Sequence, residues 1–381
     1  MPEHVESQQR VTPLELFFDL VFVFALTQVT SLMAADPTWG GLAKGLLVLA
    51  AVWWAWAAYA WLTNTLDPEE GSVRLTMLSA MAAMLLVALA VPDAFGDDAL
   101  LFGIAYLLVR VLHIALYVAG TRRDADVLGA VRRMTPTATA GPALLLAAAA
   151  FDGVGQAALW VFALAIDYLG VLVGRAQGWR VSPGHFAERH GLVVIIALGE
   201  SIVAIGAAGL DLDAGVIAAA VLGIAVAAAL WWAYFDVVAI VAERKLTEAE
   251  GAVRAALARD SYSYLHLPIV AGIVLFALGL KKTIGHVDEP LELVPALGLC
   301  GGVALYLLAH VAFRLRNVGT VSRRRLVAAV ALVGLIPAAV SVTALTALAL
   351  TTAIVVALIA YEALRFREAR ARVRRPQASA V

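Results

Sequence analysis

Several ionisable side chains of this sequence lie inside long apolar runs. Glu15 and Asp19 are four residues apart, Arg110 precedes His113 by three residues, and Glu200 lies near the middle of another apolar run. Residues three or four apart share one face of a helix. An ionised group at the centre of a bilayer costs about 2.5–3.5 kcal/mol on insertion scales, and such groups usually mark a substrate, ion or proton pathway. These residues are therefore the first candidates for chemistry.

Arg110 is expected to pair with a carboxylate. A guanidinium is not deprotonated in proteins, and a buried one needs a group of opposite charge beside it. Asp167 and Glu200 are expected at a similar depth, and Asp19 is a third candidate. A carboxylate at that depth can take up and release protons, so Glu200 and Asp167 could couple transport to a proton. The structural alternatives are a neutral Glu200 that hydrogen-bonds across helices and a static ion pair at Arg110.

A further helix face carries Tyr262 and His266, which are followed by Pro268. Proline removes a backbone hydrogen bond, and exposed carbonyls beside the resulting kink often line an ion or substrate path. The full set of residues expected along such a path is Glu15, Asp19, Gln28, Arg110, His113, Asp167, Glu188, His190, Glu200, Ser201, Asp236, Tyr262 and His266. The histidines lack the spacing of a zinc site, so we expect no metal, no other cofactor and no catalytic residue.

Composition indicates what kind of elements hold these residues. The chain has 381 residues, of which 62% are apolar and 15% charged, against about 45–50% and about 25% in soluble domains. The net charge of −1 provides no basic field for nucleic acid, and the single cysteine, Cys300, excludes an internal disulfide. The apolar excess predicts an all-α polytopic membrane protein with the lipid bilayer as its main partner.

Twelve apolar runs are candidates to cross the bilayer, whose ~30 Å hydrocarbon layer needs helices of about 20 residues. They are approximately 14–35, 41–63, 74–92, 99–119, 137–151, 156–174, 191–209, 214–238, 262–280, 292–313, 325–341 and 343–364. Alternate loops and the two ends contain 24 of the 28 Lys and Arg residues, against three in the other loops. This bias predicts a protein of the inner (plasma) membrane with both termini in the cytoplasm.

The two halves of the sequence resemble each other. WWAW at 53–56 matches WWAY at 231–234, and the surroundings of Gln28 match those of Glu200. Two parallel six-helix repeats, related by an axis along the membrane normal, produce such a pattern, although apolar helices can also resemble each other by chance. We predict a first repeat at 1–174, a second repeat at 175–365 and a disordered basic cytoplasmic tail at 366–381.

Two longer motifs resemble a known family. VTPLELFFDLVFVFALTQVTSLM (Val11–Met33) and AERHGLVVIIALGESIVAIG (Ala187–Gly206) are similar to the bacterial low temperature requirement A family, as is YSYLHLPIVAGIVLFALGL (Tyr262–Leu280). The resemblance extends over nearly the whole chain, and the ERHG and LGES elements are characteristic of the family. It implies an integral membrane protein. It implies no substrate, because the family name records a growth phenotype at low temperature.

A second resemblance concerns Phe18–Asp19 and the short apolar run that follows. It is similar to the phenylalanine-serine-aspartate motif in the first helix of lysosomal and bacterial potassium channels, some of which contain two six-helix repeats. Phenylalanine here replaces the serine, and Gly191–Leu192 stand where the second half would need an aspartate. This resemblance implies an ion channel.

The expected function is secondary transport or permeation of a small solute or ion, with proton coupling as one form of it. One alternative is an ion channel. The other is a membrane enzyme or accessory factor acting on lipid, with Glu188 and His190 or Tyr262 and His266 as its polar site. A homo-oligomer is an open alternative to a monomer. Walker A and GxSxG motifs are absent from the sequence, which argues against an ATP-driven pump and a serine hydrolase.

The predicted orientation can be tested with reporter fusions. Reporters after Arg175 or at the C-terminus should report the cytoplasm, and reporters near Asp97 or Asp211 the opposite side, because basic loops stay inside. Paired alkaline phosphatase and fluorescent protein fusions measure this. If fusions after Arg123 and Asp97 report the same side, the predicted number of spans is wrong.

Overall fold

The computed structural model of this chain describes residues 10–174, 176–206 and 213–374. Every regular element within these ranges is a helix, and no β-strand occurs in them. Ten helices in these ranges are long and apolar enough to cross a membrane. The predicted class, an all-α polytopic membrane protein, is therefore confirmed.

The helices follow the predicted apolar runs closely. They are α1 (Pro13–Ala35), α2 (Trp39–Thr63), α3 (Gly71–Ala90), α4 (Ala99–Gly120), α5 (Ala125–Ala148), α6 (Gly153–Val173), α7 (Pro183–Gly206), α8 (Ala214–Phe235), α9 (Val238–Glu248), α10 (Gly251–Leu257), α11 (His266–Gly285), α12 (Leu293–Ala296), α13 (Gly302–Val318), α14 (Arg323–Ala339), α15 (Ala344–Arg365) and α16 (Arg367–Arg374). A 3-10 turn extends α3 through Val91–Asp93. Two π-helical segments, Ala258–Tyr264 and Leu297–Gly301, join α10 to α11 and α12 to α13.

Short polar side chains mark the start of several helices. Asp124, Asp213 and Thr343 precede α5, α8 and α15, and each accepts a backbone N–H from the residue three positions further on. Such caps satisfy donors that have no partner within the first helical turn. At the other end, Gly319 follows α13 with φ of 72°, a left-handed conformation that glycine adopts without a steric penalty.

Two of the twelve predicted runs are not among the ten long apolar helices. The run 137–151 belongs to α5, which begins earlier, at Ala125, and contains Pro136 and Pro142. The run 325–341 is α14, which has only 17 residues and begins with three arginines. Both runs are helical, but α5, although it has 24 residues, is not apolar enough for a typical span, and α14 is too short. Twelve spans therefore remain a prediction.

The ninth predicted run is longer than expected, because α10, the first π-helical segment and α11 form one apolar stretch from Gly251 to Gly285. Pro268 has no N–H to offer to the carbonyl of Tyr264, four residues earlier. The π-helical segment ends at Tyr264. We interpret these π-helical turns as the local unwinding that the proline predicts.

The chain divides into two compact units. Unit 1 consists of Met1–Val29, Leu46–Leu192 and Leu246–Ser263, and unit 2 of Thr30–Gly45, Val193–Lys245 and Tyr264–Val381. In unit 1, α4 packs against α3 and α5, and α5 packs against α6. In unit 2, α13 packs against α11 and α14, and α15 packs against α14 and α8. The predicted division into repeats at residue 174 remains a prediction.

The basic tail differs from the prediction. Residues 366–381 were expected to be disordered, but Arg367–Arg374 form α16. Arg370 of this helix is 2.5 Å from Asp236 at the end of α8, and Arg374 contacts the same carboxylate. An ion pair with a carboxylate that is itself mostly buried offsets the entropy lost on ordering the tail. Residues 375–381 lie outside the described ranges.

Close helix contacts in unit 2 depend on glycine. A Cβ atom on Gly272 of α11 would lie 2.7 Å from the carbonyl oxygen of Gly302 and 2.8 Å from the backbone nitrogen of Tyr306. Backbone atoms at that distance leave no room for a methyl group. Small residues at such contacts let membrane helices approach closely.

Gly272→Ala should therefore lower the thermal stability of the purified protein, by about 1–3 kcal/mol, the usual cost of overpacking. Gly334→Ala is the matched control. A Cβ atom on Gly334, in α14, meets nothing within 4 Å, so the same substitution should be neutral or stabilising because alanine favours helix. Melting curves in detergent measure both variants. Equal melting temperatures would contradict the close approach at Gly272.

Candidate functional site

Four buried ionisable side chains form a ladder between α1 and the first half of α7. Glu15 and Asp19 lie one helical turn apart on α1, and His185 and Arg189 lie one turn apart on α7. We call these four residues the acid–base quartet. The Glu15 carboxylate is 3.1 Å from Nε2 of His185 and 3.2 Å from Arg189. Arg189 also donates a hydrogen bond of 2.9 Å from Nη2 to Oδ1 of Asp19.

The quartet is shielded from solvent and supported by neighbours. The side chains of Glu15, His185 and Arg189 are fully buried, and that of Asp19 is 1% exposed. Trp56 of α2 donates its indole N–H to Oδ1 of Asp19 at 2.9 Å, and the Arg189 guanidinium lies 5.8 Å from the centre of the same indole. Charge-assisted hydrogen bonds of this kind compensate for the loss of hydration.

Asn64 determines which ring nitrogen of His185 accepts a hydrogen bond. The Asn64 side chain accepts a hydrogen bond from the backbone N–H of Ser182 and donates one to its carbonyl, which fixes the orientation of the amide. Its Nδ2 also lies 3.0 Å from Nδ1 of His185, so Nδ1 accepts and carries no proton. His185 then donates from Nε2 to Glu15.

This tautomer leaves the acid–base quartet with an imbalance of charge. Two carboxyl groups, those of Glu15 and Asp19, face one guanidinium, so the quartet holds either one excess negative charge or one extra proton. Oδ2 of Asp19 has no hydrogen-bond partner among the described residues. In the described part of the chain, no three His, Cys, Asp or Glu side chains come together as a metal site. The quartet therefore contains an unused buried acceptor, Oδ2 of Asp19.

Arg110 of α4 pairs with Asp167 of α6, as the sequence predicted. Their side chains are 2% and 3% exposed, and the Arg110 Nη2 to Asp167 Oδ1 distance is 3.0 Å. Nε and Nη1 of Arg110 have no acceptor among the described residues. Trp54 also hydrogen-bonds to Asp167 and stacks on Tyr168, with 4.0 Å between the ring centres. One carboxylate thus satisfies only part of a buried guanidinium.

A cavity of about 90 Å³ lies beside this ion pair, and we call it the unit 1 cavity. Its lining combines Arg110 and His113 with aromatic residues and two further arginines, Arg133 and Arg259. No aspartate or glutamate lines it, and the aromatic faces come from Trp54, Trp61, Tyr117 and Trp179. The cavity is thus apolar and aromatic with three arginines in its lining, which suits an anion.

Two of the expected pathway residues in the ERHG segment have different surroundings. His190 is buried and donates from Nδ1 to the Phe186 carbonyl, and its ring packs on Trp56 and Tyr262 at 4.9 and 5.1 Å. Glu188 is exposed and accepts the backbone N–H of Val11. Arg189, which lies between them, is also buried and belongs to the acid–base quartet.

Tyr262 belongs to unit 1 and His266 to unit 2. Tyr262 packs against His190 and Phe186. His266 lies 2.8 Å through Nε2 from the hydroxyl of Tyr234. That the two residues share one helix face remains a prediction.

The remaining expected residues do not lie at the unit 1 cavity. Glu200 and Ser201 are buried in α7 and belong to unit 2. Gln28 is half-buried in α1. Asp236 pairs with arginines of α16, as described above. The pairing of Gln28 with Glu200 by the repeat remains a prediction.

The sequence analysis missed His185, Arg189 and Asn64 as site residues. A signal for two of them was present, because His185 and Arg189 have the same four-residue spacing as Glu15 and Asp19 and complementary chemistry. Two such helix faces can form a ladder of pairs. Asn64 had no such signal, since its role depends on where the chain leaves α2 and enters α7.

The helices and buried charges define a polytopic helical membrane protein with ionised groups in its interior. The family described as bacterial low temperature requirement A protein (LtrA) matches residues 10–360, and the chain belongs to this family. It is similar to an uncharacterized protein of Rhizobium meliloti (strain 1021), with 32% identity over 308 residues, 77% of this chain and 74% of that protein. No solved structure matches the chain.

The buried ion pair predicts a double-mutant effect. Arg110→Gln or Asp167→Asn alone should destabilise the protein by about 3–5 kcal/mol, because each leaves one uncompensated buried charge. The double variant should recover a large part of that loss, since two neutral amides can hydrogen-bond to each other. Thermal stability in detergent measures the coupling. Strictly additive losses would contradict a direct interaction.

Proposed function

We propose that this protein is a secondary transporter that moves a small organic monoanion together with a proton. The observation that carries the proposal is Arg110, a guanidinium buried within a membrane-spanning helix, which borders the unit 1 cavity and has two nitrogen atoms without an acceptor among the described residues. Ionisable residues at such places usually serve a transported solute or proton.

The charges around the unit 1 cavity favour a single negative charge on the solute. Arg110 pairs with Asp167, and Arg259 pairs with Asp260 at 2.8 Å. Arg133 donates at 2.7 Å to a carbonyl, that of Gln177, so its charge is not neutralised by this bond. When the partners Asp167 and Asp260 are counted with the three arginines of the lining, one positive charge remains in excess. A carboxylate or similar oxyanion complements guanidinium donors in both charge and geometry.

The size of the unit 1 cavity favours a compact solute. Its volume of about 90 Å³ is smaller than the roughly 150 Å³ of an engineered cavity that admits benzene. Aromatic walls complement an apolar solute body, and Trp61 and Trp179 pack edge to face with 5.7 Å between their ring centres. A carboxylate with two to four carbon atoms fits this description.

Asp167 supplies a route to proton coupling. A solute carboxylate that bonds to Arg110 competes with Asp167 for the guanidinium. Asp167 would then be a buried carboxylate without its cation, and such a group takes up a proton. Solute and proton would cross together without net charge. The acid–base quartet, in which two carboxyl groups face one guanidinium, supports the same coupling, and Glu200 remains a further candidate for the proton.

A channel is the second candidate, because Phe18 and Asp19 resemble a channel motif. Asp19 hydrogen-bonds to Arg189 and Trp56 and is not among the residues that line the unit 1 cavity. These contacts favour a positioning role for Asp19 over an ion-lining one. Unitary currents across a bilayer that contains the purified protein would favour the channel. Modification of a lipid without solute flux would favour the lipid enzyme.

The proposal is tested by uptake into proteoliposomes. We expect saturable uptake of radiolabelled pyruvate or lactate above that of protein-free liposomes, driven by an inward proton gradient, and no uptake of lactamide. Arg133→Gln should raise KM about 3- to 10-fold, because a solvent-accessible charge pair is worth up to about 1 kcal/mol or slightly more. Arg132→Gln is the matched control, since Arg132 is equally exposed and does not line the cavity.

The coupling carboxylate is tested in the same assay. Asp167→Asn should abolish accumulation driven by the proton gradient and retain solute exchange, because the amide cannot carry the proton. Glu200→Gln should leave accumulation intact. If only the Glu200 variant loses accumulation, the coupled proton binds at Glu200 and not at Asp167. Absence of flux for every anion tested would contradict transport of small monoanions.

A further inference from the structure

Unit 2 contains a second cavity, of about 370 Å³, at the end of the bundle where α8, α13, α14 and α15 meet α16. We call it the basic cavity. Its charged lining consists of four arginines and two carboxylates, namely Arg314, Arg324, Arg325, Arg370, Asp236 and Glu362. The lining therefore carries an excess of two positive charges. It is separate from the residues on which the proposed transport depends.

The two carboxylates of the basic cavity are already engaged. Glu362 accepts hydrogen bonds from Arg325 at 3.1 and 3.3 Å and lies 4.0 Å from Arg324. Asp236 pairs with Arg370. Arg314 donates from Nε to the hydroxyl of Thr320 at 2.9 Å, a neutral partner. Donor capacity and positive charge therefore remain for a ligand from outside the chain.

The N-terminus of α14 adds further donors to the basic cavity. Ser322 precedes this 17-residue helix, makes no side-chain cap, and is followed by three consecutive arginines. Its Oγ is buried and has no hydrogen-bond partner among the described residues. Backbone N–H groups at a helix N-terminus, together with the helix dipole, bind phosphate and other anions. An uncapped terminus with an unused buried hydroxyl suits an oxyanion.

His310 provides an acceptor in the same cavity. Its side chain is almost fully buried, and Nδ1 donates at 2.8 Å to the carbonyl of Tyr306. With its proton on Nδ1, a neutral imidazole presents a lone pair at Nε2. Nε2 has no hydrogen-bond partner in the described part of the chain, and His310 lines the basic cavity. A hydroxyl group on the ligand is the natural donor to this atom.

We propose that the basic cavity binds a phosphate ester that also carries a hydroxyl group, of the phosphoglycerol type. Arg314, Arg324 and Ser322 hydrogen-bond to the phosphate oxygens, and His310 accepts from the hydroxyl. The volume corresponds to about twelve water molecules at roughly 30 Å³ each, enough for a phosphoglycerol group. The ligand is either the headgroup of an anionic phospholipid or a soluble phosphate ester. Basic pockets between membrane helices bind anionic headgroups in this way.

The test uses the full-length protein, purified in neutral detergent. Melting temperature is titrated with dioleoylphosphatidylglycerol, dioleoylphosphatidylcholine, glycerol 3-phosphate and inorganic phosphate. We expect phosphatidylglycerol, glycerol 3-phosphate or both to raise the melting temperature with saturation, since a ligand that binds the folded state stabilises it. Phosphatidylcholine should not. Stabilisation by the lipid alone assigns a headgroup site, and stabilisation by glycerol 3-phosphate assigns a site for the phosphoglycerol group itself.

Neighbouring arginines provide a matched pair of variants. Arg324→Gln should weaken binding of the stabilising probe about 10-fold. Arg323→Gln should not, because Arg323 is exposed and is not part of the cavity lining. Ser322→Ala tests the same phosphate contact without removing a charge and serves if Arg324→Gln folds poorly. His310→Phe should reduce the preference for phosphatidylglycerol over phosphatidic acid, which lacks the headgroup hydroxyl.

Three results would overturn the proposal. The first is that none of the phosphate probes stabilises the protein. The second is that phosphatidylcholine stabilises it as strongly as phosphatidylglycerol. The third is that Arg323→Gln and Arg324→Gln weaken binding equally, which would indicate attraction to a basic surface rather than a defined site.

Discussion

A guanidinium inside an apolar slab must have a carboxylate within hydrogen-bonding distance, and much of unit 1 is arranged around two such requirements. Arg110 needs Asp167, and Arg189 needs Glu15 and Asp19. Each pair joins two helices, α4 to α6 and α1 to α7, so the charges also determine which helices are neighbours and in which register. Removing one partner of such a pair destabilises the folded protein by more free energy than the intact pair contributes to its stability. The main effect of these pairs is therefore to exclude other helix packings.

The two clusters differ in how far their charges are satisfied. In the acid–base quartet, carboxyl groups are in excess, and Oδ2 of Asp19 lacks a hydrogen-bond partner within the described residues. At Arg110, which lines the unit 1 cavity, two guanidinium nitrogens have no acceptor among the described residues. The charge balance of the acid–base quartet favours binding of a proton, and that of the Arg110 cluster favours binding of an anion. Aromatic contacts connect the two regions, because the ring of Tyr59 lies 4.9 Å from Phe18 and 5.5 Å from His113.

The basic cavity of unit 2 also contains buried polar groups whose hydrogen-bonding capacity is only partly used. Clusters of arginines at the ends of membrane helices are usually explained by orientation alone, since basic residues remain on the cytoplasmic side. Ser322 and His310 add something that orientation does not explain, namely buried polar atoms of defined donor and acceptor character. Orientation and ligand binding can therefore use the same arginines.

The sequence by itself determined the helices, because apolar runs of about 20 residues allow no other structure in a bilayer. It also determined that Arg110 needed a carboxylate and that Asp167 was a candidate. Only the tertiary structure decided which carboxylate pairs with Arg110. The depth of a residue in the bilayer does not specify which helices are neighbours or how each helix is rotated about its axis. His185 gained its role from Asn64, a contact between residues 121 positions apart, which no local pattern encodes.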